Sequence, residues 1–186
     1  MKKIILVSHC ILNTASKVVM YNLKEIEEEE ALRKQFVKTA LDRGIQLLQL
    51  PCPEFTLYGS KRWGHVSEQF DNVFFKKHCR NILLPIIEQL VEYKENKERF
   101  QILGIVGIDG SPSCGVDYTC TGEKSYGALG DRDESIMEVI HNTSLCKRKG
   151  IFFQVLEEML VEFKLADIKV EGLFALEPHK CMNLLS

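Results

Sequence analysis

Cysteine is the residue type through which this chain is best equipped for chemistry. Seven occur in 186 residues, and three of them, Cys10, Cys52 and Cys114, each come just after a short apolar run. A thiolate is both a nucleophile and a metal ligand. A single one would attack a substrate; three brought together would hold a metal. Successive members of the trio are 42 and 62 residues apart and no Cys-x-x-Cys pair occurs, which argues against a zinc ribbon or a bacterial ferredoxin. A reducing environment is expected, so a disulfide framework is not.

The flanking residues give the trio its character. Pro51-Cys52-Pro53-Glu54 and Ser111-Pro112-Ser113-Cys114-Gly115 are stiff, polar turn sequences, unlike the surroundings of a cysteine that only fills a core. Glu54, two residues beyond Cys52, is the first candidate for proton transfer, with Asp109 as a substitute. Ser111 and Ser113 can donate hydrogen bonds to a bound group or to substrate, or else shape the turn. The segment 58–65 combines Tyr58, Lys61, Arg62, the single tryptophan Trp63 and His65, and reads as a lid able to stack on a heterocycle or as a surface loop whose Trp63 packs on the next helix. Cys79 is expected to be a half-buried helical residue. Cys120 is the substitute ligand nearest in sequence to Cys114, while Cys146 and Cys181 read as exposed thiols in irregular segments. His9 and His179 are expected to be structural.

Positioning three distant cysteines requires a scaffold, and the hydrophobic pattern supplies one. Lys3–Ser8, Ile45–Leu50, Ile102–Ile108 and Ile168–Phe174 are short β-branched or leucine-rich runs that read as strands of a parallel sheet. Between them, apolar residues recur at helical spacing from about Glu27 to Arg43, from Ser67 to about Asn96, and from Ile151 to Phe163, with Gly44 as a helix stop and Pro85 expected to kink or split the second helix. Residues 116–149 show no sustained period and read as loop with a short helix around Asp133–Ile140. The expected fold is a single α/β domain over residues 1–186, three-layered and Rossmann-like, with a mostly parallel sheet of about four strands and helices on both faces. Ligands of such sheets bind beyond the carboxyl ends of the strands. With strands in an order such as 2-1-3, the cysteines would lie roughly 5 to 10 Å apart.

Composition narrows the partners. The chain is 45% hydrophobic and 27% charged with a formal net charge of -2 and no long Lys/Arg block, so nucleic acid is not an expected partner and a small molecule is. No stretch is long enough to span a bilayer, and the Met-Lys-Lys start followed by Ile4–Val7 is too short for a signal peptide, so a cytoplasmic protein is expected. The chain carries no internal repeat.

Cys-Pro-Glu after the second strand and Ser-Pro-Ser-Cys-Gly after the third resemble the motifs of the iron–sulfur desulfidase family that includes bacterial thiouracil desulfidases, and Cys10 matches that family's N-terminal cysteine. The resemblance implies a 4Fe-4S cluster held by Cys10, Cys52 and Cys114, with one iron left without a protein ligand. It also implies removal of sulfur, as sulfide, from a small thiocarbonyl compound, with Glu54, Ser111 and Ser113 forming the reactive shell. The sequence Ser8-His9-Cys10-Ile11-Leu12-Asn13 departs from the leucine-glycine continuation and the downstream arginine-tyrosine-aspartate signature of that family, which points to a related branch and leaves the substrate open. Two other readings use the same residues: a non-catalytic iron–sulfur or zinc-binding sensor or sulfur carrier, and a metal-free enzyme with one nucleophilic cysteine. Three thiolates alone are equally able to hold zinc with a water.

Overall fold

The computed structural model describes residues 1–19, 23–122, 127, 128, 130 and 132–186. Four strands, β1 (Lys2–Val7), β2 (Gln46–Gln49), β3 (Phe100–Ile108) and β6 (Val170–Leu173), form a sheet in the order β2-β1-β3-β6. Every pairing in it is parallel. The expected α/β architecture, with β1 between β2 and β3, is the one observed.

Side chains alternate across this sheet and build two cores. On one face Ile4, Leu6 and Ile105 pack against α5 (Val73–Glu95) through Phe75, Cys79, Leu83 and Ile87, and against α7 (Ile151–Glu162) through Phe152, Leu156 and Met159. On the other, Ile5, Val7, Val106 and Ile108 meet Phe36 and Ala40 of α2 (Leu23–Asp42) and Cys181 of α8 (His179–Asn183). The three-layer arrangement follows from this two-sided burial. Because β1 leads to α2 on one face while β3 leads towards α7 on the other, the carboxyl ends of β1 and β3 flank a crevice.

Several elements differ from the expectations. The Ser67–Asn96 helix is divided, but at Asp71 and Asn72 rather than at Pro85: a short α4 (Ser67–Phe70) ends there, and the Asn72 side chain caps α5 by accepting from the Phe75 N–H at 3.0 Å. Helix α5 runs through Pro85, because Pro85 and Asn81 lie on the exposed face and the carbonyl deprived of its partner is left to water. Within 116–149, β4 (Thr119–Thr121) and β5 (Ser144–Cys146) form an antiparallel ribbon with α6 (Ser135–His141) between them; residues 123–126, 129 and 131 of this stretch lie outside the described residues. Gly44 stops α2 at φ +68°, as expected of a left-handed position. Two short helices, α1 (His9–Leu12) and α3 (Pro53–Tyr58), fall where turns were expected. Among the described residues no helix is long and apolar enough to cross a membrane.

Candidate active site

The three cysteines sit at three consecutive exits from the sheet. Cys10 lies in α1, three residues after the end of β1; Cys52 is the N-cap of α3, with Pro53 in the first helical position; Cys114 lies in the turn after β3. Proline at that position suits a helix start, since its missing N–H would be unpaired there anyway. The Cys52 Sγ accepts from the Phe55 N–H at 3.4 Å, which turns the thiol toward the start of its own helix. Cys10 and Cys52 are close enough for their thiols to act on each other, and Cys114 is near enough to act electrostatically on Cys10 and to feel Cys52. The sequence-predicted trio therefore comes together across 104 residues of chain.

Each thiol is tuned differently. The hydrogen bond from Cys10, helped by the Phe55 N–H and the Arg62 charge, brings Cys52 down to about 7. Donating that bond, together with burial, pushes Cys10 up. Burial raises Cys114 to about 12 against the opposing effect of Ser113. Lys17 favours the ionised form of Cys10, and Arg33, which donates to the Ile11 carbonyl at 2.7 Å, also feels the Cys10 charge. Three cations, Lys17, Arg33 and Arg62, thus act on the cysteines, of which Cys52 alone is brought down.

Beside the thiols stands a hydrogen-bonded carboxylate. Glu54 is buried, and its Oε1 accepts from Ser113 Oγ at 2.6 Å while Arg62 Nε donates to Oε2 at 3.1 Å. Ser113 Oγ also lies 3.5 Å from Cys114 Sγ. Ser111 Oγ accepts from the N–H groups of Cys114 and Ser113 at 3.0 and 3.3 Å, so it braces the turn, and Ser113 makes the contact with Glu54. Gly150 lets the start of α7 approach this turn: a Cβ there would stand 2.5 Å from the Ser113 carbonyl, and the Ile151 and Phe152 N–H groups donate to the Pro112 and Ser113 carbonyls.

The donor set fits a thiolate-bound group. Cysteine sulfur is the ligand that iron–sulfur clusters use. Near it, Ser8 Oγ and His9 Nε2 are buried without a hydrogen bond of ordinary geometry, and Ser8 lies against the Cys114 thiol, which it pulls downward. Among the described residues no three His, Cys, Asp or Glu side chains are grouped as ligands of a metal ion.

Other sequence-nominated residues are placed elsewhere. Asp109 does not serve as the alternative to Glu54: its Oδ1 accepts from the N–H groups of Val116, Asp117 and Tyr118 at 2.7, 2.9 and 3.1 Å, and Gly172 leaves space for its carboxylate. Trp63 is 75% exposed and does not pack on the following helix, whereas Tyr58 and His65 stack at 5.3 Å between centroids and continue into Phe70 and Phe75. Cys181 is buried in α8, not exposed, with its thiol 3.5 Å from the Pro178 carbonyl. Cys79 is fully buried rather than half-buried and interacts with the Cys114 and Glu54 charges from beneath. Cys120 and Cys146 belong to the β4–β5 ribbon, where Cys120 feels Glu68 and Cys146 rather than the trio. His179 is exposed at the start of α8. Arg62, read only as a stacking cation, is the site residue that sequence reasoning missed; its spacing of eight from Glu54 carries no helical or strand signal.

An uncharacterized protein of Methanocaldococcus jannaschii, MJ0003, is 34% identical over 115 residues, covering 62% of this chain and 69% of that protein. No solved structure matches the chain. Residues 1–169, which include all three cysteines and their loops, match the family described as "Putative 2-thiouracil desulfurase". The chain belongs to that family.

Proposed function

We propose that this protein is a desulfidase that removes sulfur, as sulfide, from a small thiocarbonyl compound at a 4Fe-4S cluster held by Cys10, Cys52 and Cys114. The observation that carries this reading is the Ser113–Glu54 hydrogen bond of 2.6 Å placed beside three converging cysteines. A purely structural metal site would be closed by a fourth protein ligand, whereas a carboxylate and a hydroxyl stand beside these thiols. A cluster takes one thiolate per iron, so three cysteines would leave one iron of four without a protein ligand. When bound, it supplies a soft Lewis acid whose open iron prefers sulfur to oxygen.

The chain's own groups account for the proton movements. The overall change is hydrolytic: the thiocarbonyl carbon gains oxygen from water, the carbon–sulfur bond breaks, and sulfur leaves with its electron pair. Water must lose a proton as it adds. Ser113 Oγ can receive it while passing its own proton to Glu54 Oε1, and the carboxylate is held for this by Arg62 on its other oxygen. The same pair returns the proton to the departing fragment. Cys52, brought down to about 7, is the thiol closest to ionising, whereas Cys10 and Cys114 would give up their protons as metal binds.

Anaerobic purification with iron and acid-labile sulfide assays, followed by sulfide-release assays on thiolated nucleobases and small thioamides, tests the proposal. Stoichiometric cluster with turnover supports it. Protein that holds no iron after anaerobic reconstitution refutes the cluster, and cluster without turnover on the whole panel favours the sensor or carrier reading.

A further inference from the structure

Arg62 lies in the loop after α3, yet its side chain is only 4% exposed. Its three nitrogens go to three different acceptors. Nε donates to Glu54 Oε2 at 3.1 Å, Nη1 to the Gly59 carbonyl at 3.3 Å and Nη2 to the Ser16 carbonyl at 2.5 Å. Ser16 belongs to the 3-10 turn that follows Cys10 in the chain, whereas Glu54 lies in the helix capped by Cys52. One guanidinium therefore ties together the segments leading away from two of the three cysteines.

Desolvating an arginine and a glutamate is costly, and apolar packing would hold two loops together at least as well. What apolar contact lacks is direction. A guanidinium is a rigid planar fork with five N–H donors, so fixing three acceptors at once fixes their mutual placement. Arg62 also divides the labour of the carboxylate: with Oε2 occupied, Oε1 is the oxygen presented to Ser113.

We propose that Arg62 is a positioning residue, whose guanidinium fastens the turn after Cys10 to the helix after Cys52 and thereby aims the Glu54 carboxylate at Ser113. The aiming of Glu54 rests on the desulfidase reading; the fastening of the two segments does not.

The test uses the full chain carrying Arg62→Met or Arg62→Lys, the latter keeping the charge but not the fork. In the reduced protein without metal, amide hydrogen exchange at Ala15 and Lys17 reports the turn, because those N–H groups are bonded within it to Asn13 and Thr14. Both variants are expected to exchange there on the order of 10-fold faster than the parent, with Ile5 and Leu6 of β1 unchanged. In the reconstituted protein, Arg62→Met is expected to lower kcat for sulfide release about 100-fold with little change in KM, and to cost nothing further when added to Glu54→Gln. Unchanged exchange at Ala15 and Lys17, or losses in the double variant that simply multiply, would overturn the proposal. Should Arg62→Met fail to fold, Arg62→Lys carries the same two measurements. Absence of sulfide release from the parent protein would count against the desulfidase reading alone, since the exchange arm still decides the fastening.

Discussion

Cys10, Cys52 and Cys114 differ from the other four cysteines less in burial than in company. Cys79 and Cys181 are fully buried members of the two apolar cores, whereas the trio shares its surroundings with Ser113, Glu54, Lys17 and Arg62. Substituting serine for any of Cys10, Cys52 or Cys114 is therefore expected to abolish stable iron binding, while Cys79→Ser leaves the iron content near that of the parent; iron and acid-labile sulfide per chain are the measurements. Equal losses in all four would remove the assignment. Glu54→Gln keeps the shape of the side chain but not its capacity to take a proton, and kcat for sulfide release is expected to fall about 100-fold or more with cluster content retained. Asp109 has a different part. It satisfies three N–H groups of the loop beyond Cys114, so Asp109→Ala should destabilise the fold by about 3 kcal/mol in urea denaturation, as expected for buried donors left unpaired.

At the level of elements, the site is made where helix starts meet strand ends. Helix α3 begins on Cys52, and α7 begins on the Ser113–Cys114 turn, to which its first N–H groups donate. Gly150 permits that approach, and Gly150→Ala would drive a Cβ to 2.5 Å from the Ser113 carbonyl and 2.9 Å from the Gly115 nitrogen. The expected cost is about 1 to 3 kcal/mol of stability, seen in chemical denaturation, together with reduced iron incorporation although no ligand has changed. Iron content equal to the parent's would show that the turn tolerates displacement. The break before α5 depends on a side chain rather than on Pro85: loss of the Asn72 cap in Asn72→Ala should cost about 1 kcal/mol by the same measurement.

On the scale of the whole molecule, the β4–β5 ribbon is joined to the main body through Glu68 of α4. That carboxylate accepts from Thr121 Oγ at 2.6 Å and from the Gly122 N–H at 3.3 Å, and it pairs with Arg148. Burial acts to raise its pKa, but the bonds from Thr121 and Arg148 outweigh this and hold it at about 2, below its ordinary value of 4.5. A carboxyl depressed in the folded state contributes its stability in full above about pH 4.5 and loses it as pH falls toward about 2. With the side chain 26% exposed, a contribution of about 2 kcal/mol remains after allowance for solvent screening. Denaturation midpoints measured between pH 2 and 6 should thus show a steeper acid loss in the parent than in Glu68→Gln. Superimposable pH profiles would mean that the ribbon is held by other contacts.

The alternation of apolar strands and amphipathic helices was enough to determine the α/β class, the four-strand parallel sheet and the ends at which Cys10, Cys52 and Cys114 would gather, because burial on two faces leaves its period in the sequence. The flanking Pro51, Pro53, Ser111 and Pro112 likewise marked the loops locally. Where a side chain finds its partner far along the chain, no such period exists. Arg62 reaches Ser16 across 46 residues, and Ser113 reaches Glu54 across 59. Only the tertiary structure could decide that Asp109 turns to its own loop, that Cys181 of α8 is buried against the sheet, and that residues 116–149 contain a ribbon. Those outcomes depend on which surfaces meet after the sheet has formed, and hydrogen bonding between distant loops imposes no spacing on the residues that make it.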